Sequence, residues 1–147
     1  MNRYRPATEA DVDAILPLME RYYAEDGYGF DTARARAAAI TLAADESLGG
    51  LWVAVVEGRV AGYLAVTLGF SLEYGGFDAF LDEVYIDTAF RRQGLGREAI
   101  DVAVDYCRAR GVRALHLEVE DHREAAKRLY EAAGFELHDR HLMSRLL

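Results

Sequence analysis

The sequence has 147 residues, 52% of them hydrophobic and 29% charged, which suits one globular domain (1–147) around one core and excludes a disordered chain. A net charge of -8 excludes general binding to a phosphate backbone, so no nucleic-acid partner is expected and a cationic one suits the balance better. No run approaches ~20 apolar residues, so no membrane span is expected. One cysteine, Cys107, builds no disulfide framework, and MNRYRPATEADVDAIL lacks a signal peptide's apolar region; both point to a cytoplasmic chain.

Thr8 followed by Asp11 forms a helix N-cap pattern, and Val12, Ile15, Leu16 and Met19 recur at helical spacing until Pro17 should end, bend or split the helix. Asp31 caps a second, alanine-rich helix reaching about Ala44. LWVAVVEGRVAGYLAVTLGF reads as two strands around a turn at Glu57 and Gly58, and AFLDEVYID as a third. Gly94 to Ala109 is a helix with Leu95, Ile100, Val104 and Cys107 on its apolar stripe, ending at Gly111. RALHLEV is a short strand, and Asp121 with Glu124 suggests a capping box for a helix closed by Gly134. FELHDRHLMSRLL should finish the chain as one or two strands. This order predicts a mixed α/β (α+β) domain, its sheet antiparallel first and partly parallel later.

The densest chemistry lies at FRRQGLGREAI, residues 90 to 100. Gly94 and Gly96 stand where a loop becomes a helix, so free backbone N–H groups point at an anion where the helix dipole is positive. Arg91, Arg92 and Arg97 add charge and Gln93 a further donor, which together describe a phosphate or pyrophosphate cradle. The plain alternative is a glycine turn among solvated arginines. Gly94 to Ala99 also fits the G-x-G-x-x-A dinucleotide fingerprint, with Glu118 near the place of a ribose-binding acid. DTAFRRQ intervenes after the strand, however, and too little chain follows for a six-stranded nucleotide fold. No Lys-Ser or Lys-Thr follows the glycines, which excludes a Walker A loop.

R-R-Q-G-L-G at 91 to 96, preceded by DEVYID, resembles the Q/R-x-x-G-x-G/A motif of the GNAT N-acetyltransferase superfamily, and EAAKRLYEAAGFE at 124 to 136 is similar to that family's A-x-x-L-Y-E-x-x-G-F segment. The resemblance extends over essentially the whole chain. It implies a GNAT-like fold with a central, largely antiparallel sheet flanked by helices. It also implies acetyl-CoA as cosubstrate, with pyrophosphate on the backbone of residues 91 to 96 (Arg91, Arg92, Gln93, Gly94, Leu95, Gly96) and pantetheine along Val84, Tyr85 and Ile86. Where many members have asparagine before the Leu-Tyr pair, this chain has Arg123, which could reach a phosphate or be a solvated helix-start residue. Homodimers are common in the resembled family, and the sequence leaves that open.

Acetyl transfer to an amine needs a neutral nucleophile, stabilisation of an oxyanion and a proton for the departing thiolate. Tyr130 matches the family's tyrosine acid, against a plain reading as a core residue. Asp82 and Glu83 are adjacent acids in a strand, where alternation should place them on opposite faces so that only one lines a given cleft. LDEVYI resembles a family strand whose first acid is a base, which favours Asp82, while a water path stays open. Acids without basic neighbours between Arg59 and Arg91 (Glu73, Asp78, Asp82, Glu83, Asp87) give an acidic acceptor side. YYAEDGYGFD adds Glu25, Asp26 and Asp31 among aromatic rings, suited to ammonium groups. The expected activity is acetyl-CoA-dependent N-acetylation of a primary amine on a small cationic molecule such as a polyamine or aminoglycoside. A non-catalytic acyl-CoA-binding module, a protein lysine or N-terminal acetyltransferase, and a nicotinamide-binding fold are the alternatives. His138 and His141 would face opposite ways on a strand with no acid or cysteine cluster, so no metal is expected.

Overall fold

The computed structural model describes residues 2–147. Its elements run β1 (Tyr4–Pro6), α1 (Glu9–Glu25), α2 (Thr32–Ala44), β2 (Gly49–Val56), β3 (Arg59–Ser71), β4 (Gly76–Ile86), a single 3-10 turn at Thr88–Phe90, α3 (Leu95–Ala109), β5 (Ala114–His116) and α4 (Glu124–Ala132). The five strands form one sheet in the order β1-β2-β3-β4-β5. The first three pairings are antiparallel and β4 with β5 is parallel, as the order of elements predicted.

Helices cover both faces. Val12, Ile15, Leu16 and Leu18 of α1 and Ala39 of α2 pack on Leu51, Val53, Tyr63, Ala65 and Tyr85. On the opposite face Leu95, Ala99, Ile100, Ala103 and Cys107 of α3 pack on Leu64, Val66, Ala79 and Leu81. Cys107 is a packed thiol whose pKa is pushed up by burial. The antiparallel majority also rules out the nicotinamide-binding alternative, whose sheet is mostly parallel.

The local chemistry explains most boundaries. Asp11 accepts from the Thr8 backbone N–H at 2.8 Å and stays well below the usual carboxylate range, chiefly through Arg5 beside it. Asp31 caps α2 by accepting from the Arg34 N–H at 3.1 Å. Glu57 and Gly58 both take positive φ (50° and 74°), the backbone of a tight hairpin turn between β2 and β3.

Four expectations are corrected. β1, only three residues long, was not anticipated, and it extends the sheet by pairing with β2. Pro17 lies inside a continuous α1, because buried Ile15, Leu16 and Leu18 hold the helix against the sheet on both sides of the missing hydrogen bond. Asp121 caps nothing: Arg123 takes the N-cap place of α4 without a side-chain bond, and Asp121 pairs with Lys127 instead. Finally, residues 135–147 form no strand. Leu137, Met143 and Leu146 there are exposed, and Arg140 pairs with Glu73 of the β3–β4 turn through two 2.7 Å bonds.

Candidate functional site

β4 and β5 pair at only three positions, Asp78 with Ala114, Ala79 with Leu115 and Phe80 with His116. β4 continues to Ile86 while β5 stops, so the sheet splays beyond Phe80. A cavity of ≈ 420 Å³ fills the split, walled by Asp82, Glu83 and Val84 of β4 on one side and by Glu118, Val119 and Glu120 of the segment after β5 on the other, with Tyr22, Tyr28, Arg123 and Tyr130 around it. Along this stretch the outer backbone edge of β4 has no strand beside it, and its polar groups face the cleft.

The two acids of β4 are placed by a β-bulge. Pairing with β3 steps from Ala65–Glu83 to Val66–Leu81, which leaves Asp82 as an extra residue. Leu81, Val84 and Ile86 pack towards α3 while Tyr85 packs towards α1 and α2, so the side-chain alternation slips at 82–83. Asp82 and Glu83 therefore share the α1–α2 face. The expected split to opposite faces is overturned, and both acids line the first cavity and also a second of ≈ 720 Å³ beneath α2.

Glu83 is held from both sides. Tyr23 donates to Oε2 and Tyr63 to Oε1, each at 2.6 Å. Burial raises the Glu83 pKa above the ordinary carboxylate value, with the two phenols pulling it back down and the charge of Asp82 adding to the rise. Asp82 is the more exposed residue, and desolvation of its carboxyl also pushes its pKa up. Tyr63 is buried, and with Glu83 beside it the phenol stays firmly protonated. Burial likewise raises Tyr130, against the opposing charge of Arg123, and pushes Tyr22 up to about 12. Tyr130 stacks edge-on to Phe135 at 5.9 Å.

The glycine turn lies at the end of β4. Arg92 and Gly94 both take positive φ (63° and 81°), and Gly94 is the N-cap of α3. The first intrahelical bond runs from the Glu98 N–H to Gly94 O, which leaves the N–H groups of Leu95, Gly96 and Arg97 pointing out of the helix start. Arg92, Gln93 and Arg97 are exposed around it. A Cβ on Gly96 would sit 3.1 Å from Leu129 of α4, so the turn and α4 approach each other closely.

Two predicted phosphate ligands have other partners. Arg91 donates to Ile86 O at 2.9 Å and to Glu25 at 2.9 Å, and its guanidinium lies 5.3 Å from the centre of the Tyr85 ring. Arg123 pairs with Asp26 at 3.0 Å and Glu25 at 3.2 Å and lies over Tyr22 at 5.4 Å. Arg123 is thus neither solvated nor turned to the helix start; it ties α4 to the end of α1. Burial disfavours the charge of Glu25, yet Arg91 and Arg123 together hold its carboxyl below the usual range.

Most acids in and around β4 have partners as well. Glu73 pairs with Arg140, Asp78 with His116 and Asp87 with Arg21, so of the five acids between Arg59 and Arg91 only Asp82 and Glu83 line the cavities. Aromatic residues of the end of α1 and the α1–α2 connection contribute walls, Tyr22, Tyr23 and Tyr28 to the first cavity and Tyr23 with Phe30 to the second. Tyr63 is the residue that sequence reasoning missed: it reads as one more aromatic in an apolar strand, and only the register places its hydroxyl on Glu83. His138 and His141 lie in the irregular C-terminal segment rather than on a strand, and no metal-binding group of His, Cys, Asp and Glu occurs among the described residues.

Comparison with known proteins fits this arrangement. The chain is 41% identical over 58 residues to the ribosomal protein bS18-alanine N-acetyltransferase of Escherichia coli K12, a stretch that is 40% of this chain and 39% of that one. It is 43% identical over 61 residues to the mycothiol acetyltransferase of Beutenbergia cavernae, 40% of this chain and 20% of that one. The matched stretch thus spans well under half the length of these curated relatives. An integron cassette protein from the mobile metagenome of Cole Harbour Salt Marsh superposes with a TM-score of 0.88 at 33% identity, over 99% of this chain and 90% of that one. Residues 13–135, which include the splayed strands, the bulge and the glycine turn, match the acetyltransferase (GNAT) family, and the chain belongs to it.

Proposed function

We propose that this protein transfers an acetyl group from acetyl-CoA to the primary amine of a small molecule by direct attack. The observation that carries the proposal is the continuity of three features: a helix start with outward N–H groups, an unpaired strand edge leading away from it, and a bulge that puts two acids with raised pKa at the far end. A pyrophosphate fits the N–H groups of residues 95 to 97 with Arg92, Gln93 and Arg97 around it. A pantetheine arm has amides that suit the open edge of Val84 to Ile86, as a short added strand would.

The residues then have separable tasks. Glu83 takes one proton from the ammonium and so exposes the nitrogen lone pair; its raised pKa makes it a stronger base than an exposed carboxylate. Asp82 beside it holds the ammonium by charge. As the nitrogen–carbon bond forms and the carbon–sulfur bond breaks, the second amine proton passes to water. Tyr130, still protonated, supplies one to the departing sulfur. Tyr63 and Tyr23 act through Glu83 by fixing the orientation of its carboxylate.

The donor half of the reading is tested by calorimetric titration with acetyl-CoA. Saturable binding is expected, and Arg92→Ala should weaken it about tenfold, the scale of one charge-assisted phosphate contact. Absence of heat and of any thermal shift with acetyl-CoA and longer acyl-CoAs would remove the proposal.

A homodimer belongs to the same reading. β5 is the last strand of the sheet, so its outer edge has no partner among the described residues. Residues 135–147 form neither helix nor strand and carry exposed apolar side chains, as do Phe70, Leu72 and Phe77 of the β3–β4 hairpin. A free edge and an apolar C-terminal arm in one chain are complementary across a twofold axis, where each copy lends its arm to the other's edge. Light scattering should give twice the 16.4 kDa chain mass, and removing residues 136–147 should give a monomer. A monomeric full chain, or a dimer that survives the truncation, would contradict this assembly.

A further inference from the structure

The second cavity differs in kind from the first. Its floor is the row Leu51, Ala65 and Glu83, adjacent across β2, β3 and β4. Its roof is the stripe Ala35, Ala38, Ala39 and Leu42, positions three and four apart on one face of α2. An amphipathic helix over a sheet ordinarily presents leucine or isoleucine at such places. Alanine leaves room instead, and the ≈ 720 Å³ beneath α2 is the result. Met19 and Phe30 complete the apolar wall.

Charge enters this cavity at its two ends. Asp82 and Glu83 lie at the inner end, where it meets the first cavity. Asp31 and Arg34 belong to the first turn of α2, and Asp31 is engaged as the helix cap. Glu25 and Asp26, the acids nearest in sequence, are bound to Arg91 and Arg123. The walls therefore hold one ammonium at the bulge and offer along α2 only the carboxylate of Asp31, which caps the helix and sits beside Arg34.

We infer that the acceptor is a primary amine with a single positive charge at the end of an apolar stem, an alkylamine or arylalkylamine, its nitrogen at Asp82 and Glu83 and its stem under the alanine face of α2. The inference rests on the acetyl-transfer reading and narrows it. A polyamine or aminoglycoside lying along this cavity would have to bury further ammonium groups among alanine, leucine and phenylalanine or bring them up to Arg34, both unfavourable, while Glu118 and Glu120 lie across the first cavity, where the donor is proposed. The cavity is of the size that small apolar ligands with one polar anchor occupy.

The test is thiol release from acetyl-CoA with 2-phenylethylamine, spermidine and kanamycin as acceptors, on the whole chain and on Ala38→Leu. Ala38 is exposed in the cavity roof, so leucine there fills the stem site without entering the core, and an unchanged melting temperature verifies this. The expected results are a kcat/KM for 2-phenylethylamine about tenfold or more above the polycations, and about a tenfold rise in its KM in Ala38→Leu with the Kd for acetyl-CoA unchanged. Preference for spermidine or kanamycin, or an unaltered KM in the variant, overturns the inference. If acetyl-CoA binds and no amine in the panel releases thiol, the apolar-stem assignment falls while the donor site stands. If acetyl-CoA does not bind, the transfer reading falls, and calorimetric binding of 2-phenylethylamine that is lost in both Ala38→Leu and Glu83→Gln would still uphold the amine site.

Discussion

Glu83→Gln should lower kcat/KM for amine acetylation about a thousandfold while acetyl-CoA binds as before, because the variant keeps the shape of the side chain and loses its basicity. The hydrogen bonds are the reason to choose glutamine. Both oxygens of Glu83 accept from phenols, Tyr63 at 2.6 Å and Tyr23 at 2.6 Å, and an amide can keep only one of these as an acceptor. The pH profile adds a sign. A base is active above its pKa, so the acid limb of kcat/KM in the parent protein should lie above the ordinary carboxylate range, as burial of Glu83 requires. Tyr63→Phe removes a donor that favours the carboxylate, so the acid limb should move to still higher pH and kcat should fall less than in Glu83→Gln. A limb that stays in place would assign the base to Asp82 or to water. Measuring both variants separates a residue that takes the proton from one that orients it.

The site is partly legible in the sequence because some of its signals are local. Asp31, the Glu57–Gly58 turn and the Gly94 helix start are set by residues within a few positions of each other, and the structure has each where the pattern puts it. The bulge at Asp82 is different. It depends on pairing between β3 and β4, and nothing in LDEVYI announces that alternation will slip there. The same holds for Arg123, whose partner Asp26 is far away in the chain and could be named only once α4 was known to lie beside the end of α1. A three-residue strand such as Tyr4–Pro6 carries too few positions for any period, and its existence follows from the free edge of β2. Local chemistry therefore marked the helix start at Gly94, whereas long-range register decides which acids line the cavities.

Gly96→Val should weaken acetyl-CoA binding about a hundredfold, some 2.7 kcal/mol, with a much smaller loss of stability. Gly96 lies in the first turn of α3, where the backbone N–H groups of residues 95 to 97 have no partner in the helix. Its Cβ position is 3.1 Å from Leu129 Cδ2, the end of a flexible side chain that can give way by a few tenths of an ångström. Alanine is therefore tolerated and serves as the control. The two further methyl groups of valine need more room beside α4 and lie near the path by which a pyrophosphate would approach the exposed N–H groups. Helix propensity favours the change by a few tenths of a kcal/mol, roughly offsetting the crowding beside α4, so the melting temperature should move little. Leu129 precedes Tyr130, so a disturbance of α4 would lower kcat as well as affinity, and the two effects can be read apart by titration and turnover. If Gly96→Val binds acetyl-CoA as tightly as Gly96→Ala, the helix start does not hold the donor and the orientation proposed for the whole site reverses.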